Sequence, residues 1–219
     1  LAEAACDIAA KKLDEMGRHA VIAPTVTISN SLHHGSYPGT LSLDPRLYMD
    51  YLTSIARGIV SHGFRNICCV NGHGGNGTPT DMAVMDIVTR YGIHISWVPY
   101  YVGCNGDSEA ILDTQSNIFH ADEVETSLML ALDESLVDPC YKEAKGGNVQ
   151  KGTPHGRPGR PFTFLPFETR TETGILGNSY AATREKGEQL WEAVASGPGA
   201  VRPGAVAVTG RPGKVGNGR

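Results

Sequence analysis

Apolar positions along the chain follow two patterns, helical spacing and short continuous runs. Helical spacing at i, i+3, i+4 and i+7 predicts amphipathic helices, and compact β-branched runs predict strands. The predicted helices span 1–16, 45–62, 79–91, 121–136 and 179–194. The predicted strands span 19–28, 40–43, 66–70 and 93–98. Asp44 before Pro45 is expected to cap the second helix, and Gly63 is expected to end it.

Strands separated by helices of ten to twenty residues predict a mostly parallel sheet with helices on both faces. The predicted fold class is therefore α/β, with a three-layer α/β/α sandwich in one domain at 1–196. The glycine- and proline-rich segment at 197–219 is expected to be a flexible tail. The chain opens in a helix with no strand before it, so we expect that an upstream strand is missing; a helix-first chain is the alternative.

Composition narrows the function classes. The 219 residues carry a net charge of −4 and 40% hydrophobic residues, which excludes global disorder. Basic residues form no clustered face of the kind that nucleic acid requires, and no apolar run is long enough for a membrane span. The five cysteines include no CxxC pair, so neither a disulfide framework nor a zinc knuckle is predicted. We expect a cytoplasmic protein without nucleic-acid or membrane partners.

A glycine-rich loop, Asn71-Gly-His-Gly-Gly-Asn-Gly77, follows the strand at 66–70. Closely spaced glycines and asparagines tolerate positive φ and let a ligand approach the backbone. Such a loop lies at the carboxyl end of a parallel strand, where ligands gather. We expect the imidazole of His73 to serve there as a metal ligand or a general base. The alternative is a plain connector with an incidental histidine.

A second motif, His120-Ala-Asp-Glu-Val-Glu-Thr-Ser127, opens the helix predicted at 121–136. Its acids suit the positive end of a helix dipole, which needs no functional explanation. Apolar residues follow at once, however, so part of this turn faces inward. An acid on that side needs a metal or a cation as partner.

A third motif, His33-His-Gly-Ser-Tyr-Pro-Gly-Thr40, combines two histidines with a Pro-Gly turn. The two histidines are candidate ligands for a metal or candidate contacts for a substrate. This motif alone does not indicate a function. No GxSxG motif is present, so a serine hydrolase is not supported.

In this order the three motifs resemble the creatininase (creatinine amidohydrolase) family, with further similarity at 173–177 and 182–187. The resemblance covers about residues 1–196. It implies an α/β/α fold and a metal-dependent amidohydrolase that cleaves a cyclic or linear C–N amide bond of a non-peptide small molecule. It also implies two divalent metal ions (zinc, manganese or iron) and a homo-oligomer such as a hexamer.

The resemblance also assigns roles to particular residues. It implies His73 and Glu125 as metal ligands, with Glu125 also catalytic, and His120 as the group that transfers a proton. It places His34 and Tyr37 near the substrate, and the loop residues Gly74, Gly75 and Asn76 are expected to line the same pocket.

Two departures from the family pattern limit what the resemblance implies. Gly75 stands where creatininases carry a metal-binding carboxylate, which argues against creatinine as the substrate. The segment E-x-H-G-x-H-x₅-D, which supplies a Glu, a His and an Asp to the metals, is absent from these 219 residues. We therefore expect this chain alone to bind metal weakly and to hydrolyse poorly. The alternatives are a non-catalytic descendant acting as a binding or assembly subunit and, more weakly, a peptidase.

Overall fold

The computed structural model describes residues 1–102, 108–144, 146 and 164–196. Its helices are α1 (Ala2–Glu15), α2 (Pro45–Ser61), α3 (Gly77–Tyr91), α4 (Ser108–Ile111), α5 (Glu123–Asp133) and α6 (Arg184–Ser196). Its strands are β1 (Asn66–Asn71) and β2 (His94–Pro99). The predicted tail at 197–219 lies outside the described residues.

The chain divides into two compact units. The first contains Leu1–Asn30 and Ser42–Val102, and the second contains Ser31–Leu41 and the described part of Gly103–Gly197. The assignment of 1–196 to one domain stays a prediction.

The first unit is built on a parallel strand pair, as the sequence predicts. Strands β1 and β2 run in register from Asn66 opposite His94 to Asn71 opposite Pro99. Helix α3 connects them and packs with α2, while α1 packs on β1. The core contains Ala56, Ile67, Ile87, Ile93 and Ile95. This pairing and its helical cover define an α/β fold.

Local sequence explains where the helices of this unit begin and end. The Asp44 carboxylate accepts the Arg46 N–H at 2.9 Å and caps α2, as predicted. Gly63, at φ +92°, follows the end of α2, and Gly92, at φ +58°, ends α3. Left-handed glycines of this kind end helices because they have no Cβ to clash.

Two predicted strands are wrong. Residues 19–28 and 40–43 form irregular backbone. Leu43 N–H donates to the carbonyl of Ser29, just beyond the first of these ranges, at 2.8 Å. Val21 and Ile22 are 59% and 41% exposed, so their β-branched side chains do not face a core. Pro24 cannot donate to a ladder, and strand propensity alone does not form a strand without a neighbour.

The second unit is built on the contact between α5 and α6. Leu128 and Leu190 are fully buried, and the Trp191 indole N–H donates to the Leu128 carbonyl at 3.1 Å. Helix α6 begins at Arg184 rather than at 179. Ser179 instead begins a 3₁₀ turn, and the Thr183 hydroxyl accepts the Lys186 N–H at 3.2 Å as the cap.

Among the described residues, no helix combines the length and the apolar character that a membrane span requires.

The close approach of α5 and α6 predicts a large effect of Gly187→Ala. A Cβ at Gly187 would collide with the Ser127 carbonyl and the Ala131 Cβ. We expect a loss of unfolding free energy of ~3 kcal/mol, measured by urea denaturation. Gly58→Ala is the control, because Gly58 lies in α2 with open space around it and the substitution should stabilise the helix by ~0.5–1 kcal/mol. Equal effects of the two substitutions would contradict this packing.

Candidate functional site

The loop after β1 is held together by an asparagine side chain. The Oδ1 of Asn71 accepts the His73 backbone N–H at 3.2 Å and the Asn76 amide at 3.1 Å. The Nδ2 of Asn71 donates to the His73 carbonyl at 2.9 Å. These bonds fix the backbone on both sides of His73, which has extended φ and ψ of −146° and 124°.

Asn30 closes the other side of this loop. Its backbone N–H donates to Asn76 Oδ1 at 3.1 Å, and its Nδ2 donates to the Gly75 carbonyl at 3.0 Å. Asn76 is only 5% exposed, so its amide serves the framework of the loop. The predicted contact of Gly74, Gly75 and Asn76 with a substrate stays a prediction.

The glycines of this loop do not use their tolerance of positive φ. The left-handed glycines of the described residues lie elsewhere, and none belongs to the loop at 71–77. Gly72 has a different reason for being small, because a Cβ there would come within 3.2 Å of the Ala2 Cβ on α1. Close packing of α1 therefore explains this glycine.

The second unit gathers aromatic and imidazole rings around Phe167. The His34 ring centroid lies 4.3 Å from that of Phe167, and the His120 centroid lies 5.0 Å from it. The His34 and His120 rings are 4.6 Å apart, and His33 lies 4.1 Å from His34. We call His33, His34, His120 and Phe167 the ring cluster. Two motifs separated by more than eighty residues thus meet around Phe167.

Burial affects the titration of these imidazoles. The pKa of His120 is lowered by burial, and the pKa of His33 is lowered by burial first and then by His120 and Arg170. Both rings are therefore neutral at pH 7 and can accept a proton or offer a lone pair.

Tyr37 braces the turn that carries His34. Its hydroxyl donates to the Thr171 carbonyl at 2.5 Å, and its ring lies 6.3 Å from that of His34. Its backbone N–H and the Thr40 hydroxyl both donate to the His34 carbonyl, at 2.9 and 3.0 Å. The predicted substrate contact of Tyr37 stays a prediction, because these bonds show a structural use of its hydroxyl.

His120 and Glu125 are linked through Ala121. The His120 backbone pairs with Leu176 in both directions, at 3.1 and 2.9 Å. Ala121 has φ +46°, the one positive φ outside glycine in the described part of the chain. Its N–H donates to Oε2 of Glu125 at 2.6 Å. A left-handed alanine is strained, and strain of this kind is common where a functional group is held in position.

Asp122 forms the cap of α5 and is fully buried. One carboxylate oxygen accepts the N–H groups of Val124 and Glu125, at 3.0 and 2.9 Å. The other accepts the Phe119 N–H and the Gln115 amide, at 2.6 and 2.5 Å. Burial and then the Glu125 carboxylate raise the pKa of Asp122 to about 7, against the opposing effect of these donors.

Glu123 is the inward-facing acid that the sequence predicts for this turn. It is 0% exposed, and its Oε1 lies 2.6 Å from the Lys186 ammonium. The carboxylate also accepts the N–H groups of Asp113 and Thr114, at 2.8 and 3.1 Å. Burial lowers the pKa of Lys186, but hydrogen bonds to Asp113 and Glu123 outweigh burial and raise it. The cation that this acid requires is thus a lysine.

Sequence reasoning missed several residues of this site. Phe167 lies in a segment without periodicity, so no local signal indicated it. The Asp122-x-x-Glu125 spacing before an apolar run is a helix-start pattern that could have indicated the buried cap. His73 lies in the first unit and Glu125 in the second, and their roles as metal ligands stay predictions.

These observations define the class of the protein. It has an α/β fold, a histidine loop braced by Asn71, and a ring cluster in the unit that also contains α5. The family model of creatininase, creatinine amidohydrolase, matches residues 1–199. The chain belongs to the creatininase family.

Three individual proteins are similar to the chain. The mycofactocin precursor peptide peptidase of Mycolicibacterium smegmatis is 31% identical over 82% of this chain and 65% of its own length. The 3-dehydro-scyllo-inosose hydrolase of Thermotoga maritima is 29% identical over 74% of this chain and 57% of its own length. A creatinine amidohydrolase crystal structure superposes with a TM-score of 0.69 at 26% identity, over 89% of this chain and 77% of its own. The chain thus spans less than two thirds of both curated relatives.

Loss of the buried cation should destabilise the second unit. Lys186→Met leaves the Glu123 carboxylate buried without its ion-pair partner, so we expect the unfolding free energy at pH 7 to fall by ~3–5 kcal/mol in urea denaturation. Lys11→Met, at an exposed position of α1, is the control and should change it by less than ~0.5 kcal/mol. A similarly small change in Lys186→Met would show that the pair is not structural.

The lowered pKa values predict a loss of stability in acid. Because His33 and His120 bind protons less readily in the folded state than in the unfolded chain, their contribution is complete above the unfolded pKa of about 6.5 and is lost as the pH falls below it. Asp122 acts in the opposite direction over this range, because its pKa of about 7 favours the folded state as the pH falls. Urea denaturation between about pH 7.5 and 5.5 should therefore show the imidazole effect as a difference, with a His33→Gln/His120→Gln variant losing less unfolding free energy, or gaining more, than the wild type. An unchanged slope in the variant would contradict the burial of these rings.

Proposed function

We propose that the protein is a metal-dependent amidohydrolase that cleaves a C–N amide bond of a small molecule. Family membership supports this class of reaction, and the observation that carries it is the placement of His120. The neutral His120 imidazole is held on Phe167, and the residue that follows it binds the Glu125 carboxylate. The carboxylate is thereby bonded to the backbone of the residue next to this base.

The donor chemistry fits a divalent transition metal. Imidazole nitrogens and carboxylate oxygens suit zinc, manganese and iron alike. His73 and Glu125 are the proposed ligands, and two ions are proposed on the family pattern. Bound ions of this kind polarise an amide carbonyl and increase the acidity of water.

His120 is the proposed proton-transfer group. Because its pKa lies below 6.5, the ring is unprotonated at pH 7 and can accept a proton before passing it to the leaving nitrogen. General acid–base help of this kind contributes roughly 10²–10⁴-fold. His34 lies 4.6 Å from the His120 ring, and Tyr37 braces its turn, so both are proposed to position the substrate.

The proposed substrate is a non-peptide amide other than creatinine, since Gly75 replaces the carboxylate of creatininases. A small peptide is the second candidate, favoured by similarity to the mycofactocin precursor peptide peptidase. We also propose a cytoplasmic homo-oligomer such as a hexamer.

Hydrolysis of an amide panel tests this function. The protein, loaded with zinc or manganese, is assayed for release of amine from creatinine, cyclic imides, N-acyl amines and short peptides. We expect slow hydrolysis of one non-peptide class, because the E-x-H-G-x-H-x₅-D ligands are absent from these 219 residues. Both His120→Ala and His73→Ala should reduce this hydrolysis to the background rate. His94→Ala, at the exposed start of β2, is the control and should keep full activity.

Three outcomes would contradict parts of the proposal. Activity confined to peptides would select the peptidase. Full activity of His120→Ala would remove its proton-transfer role. Absence of hydrolysis from every member of the panel, in protein that is folded and loaded with metal, would favour a non-catalytic binding subunit.

A further inference from the structure

Two adjacent imidazoles converge on a braced turn in the second unit. His33 and His34 end a 3₁₀ turn (Leu32–His34), and their ring centroids are 4.1 Å apart with an interplanar angle of 44°. Each offers a ring nitrogen within 4.8 Å of the other. Successive side chains of a 3₁₀ turn point in different directions, so this convergence requires support from outside the turn.

That support comes from three sides. Phe167 contacts both rings, with centroids 5.9 Å from His33 and 4.3 Å from His34. The His34 carbonyl is fixed by donors from Tyr37 and Thr40, and the Gly35 N–H donates to the Leu32 carbonyl at 3.1 Å. The two imidazoles are therefore held close together before any ligand arrives, which lowers the entropy cost of binding one.

We propose that His33 and His34 together chelate a divalent transition-metal ion of the zinc class. Apolar packing on Phe167 would need only carbon rings at these positions, whereas two half-buried imidazoles bring ring nitrogens that favour such an ion. The two residues differ from His73 and Glu125, the ligands proposed on the family pattern. The sequence predicts no role for His33, and this proposal assigns it metal binding. For His34, metal binding is added to the proposed contact with the substrate.

Arg170 sets the strength of this site. Its guanidinium carbon lies 5.5 Å from the Phe167 ring centroid, and its charge acts on His33. A permanent cation beside the pair repels a divalent ion, so binding is weaker than it would be with a neutral residue there. Arg170→Gln should therefore raise the zinc affinity several-fold.

Metal titration tests the proposal without reference to catalysis. The full chain is titrated with Zn²⁺ against a chromophoric chelator and with Co²⁺ by visible absorption, at about pH 7.5. We expect His33→Ala and His34→Ala each to lose one equivalent of zinc or to weaken it by ~10–100-fold. His94→Ala is the matched control and should bind as the wild type does.

A second measurement, made on the wild-type protein, tests the proposal even if the variants fail to fold. In the wild-type protein, Co²⁺ should broaden and shift the ring proton resonances of His33 and His34 before those of His62 and His94. Wild-type titration curves in His33→Ala and His34→Ala, or no effect of Co²⁺ on these two rings, would overturn the proposal. If His73→Ala abolishes amide hydrolysis while His33→Ala keeps full zinc binding, this proposal fails and the proposed function stands.

Discussion

The second unit depends on a carboxylate that is buried completely and compensated by one lysine. Glu123 loses all contact with water, and Lys186 on α6 supplies the opposite charge at 2.6 Å. Desolvation of a carboxylate costs several kcal/mol, so the fold is stable only when α6 delivers this ammonium group to the first turn of α5. Gly187, the next residue, lets the two helices approach closely enough for that delivery.

The pairing of Glu123 with Lys186 also affects the candidate site, because Glu123 lies next to the groups proposed to act in catalysis. Asp122 caps the helix, Ala121 orients Glu125 through its N–H, and His120 is paired with Leu176. A stable first turn of α5 therefore fixes an imidazole and a carboxylate together. The ring cluster then holds the His120 side chain in a largely apolar environment.

Sequence reasoning predicted most of the helices, the parallel β1 and β2 pair, the Asp44 cap and the need of an inward acid for a positive partner. Each of these follows from local patterns or from the cost of burying a charge. The strands expected at 19–28 and 40–43 failed because propensity does not supply a pairing neighbour. The roles of Phe167 and Lys186 could not be predicted from the sequence, because they depend on contacts with residues about fifty or more positions away.

A double-mutant cycle between Glu123 and Lys186 tests the central claim most directly. The unfolding free energies of the wild type, Glu123→Gln, Lys186→Met and the double variant give the coupling energy of the pair. Interaction of a buried carboxylate with the ammonium group that lies 2.6 Å from it predicts a coupling of ~2–3 kcal/mol or more. A coupling below ~0.5 kcal/mol would mean that this pair does not hold the first turn of α5 in place.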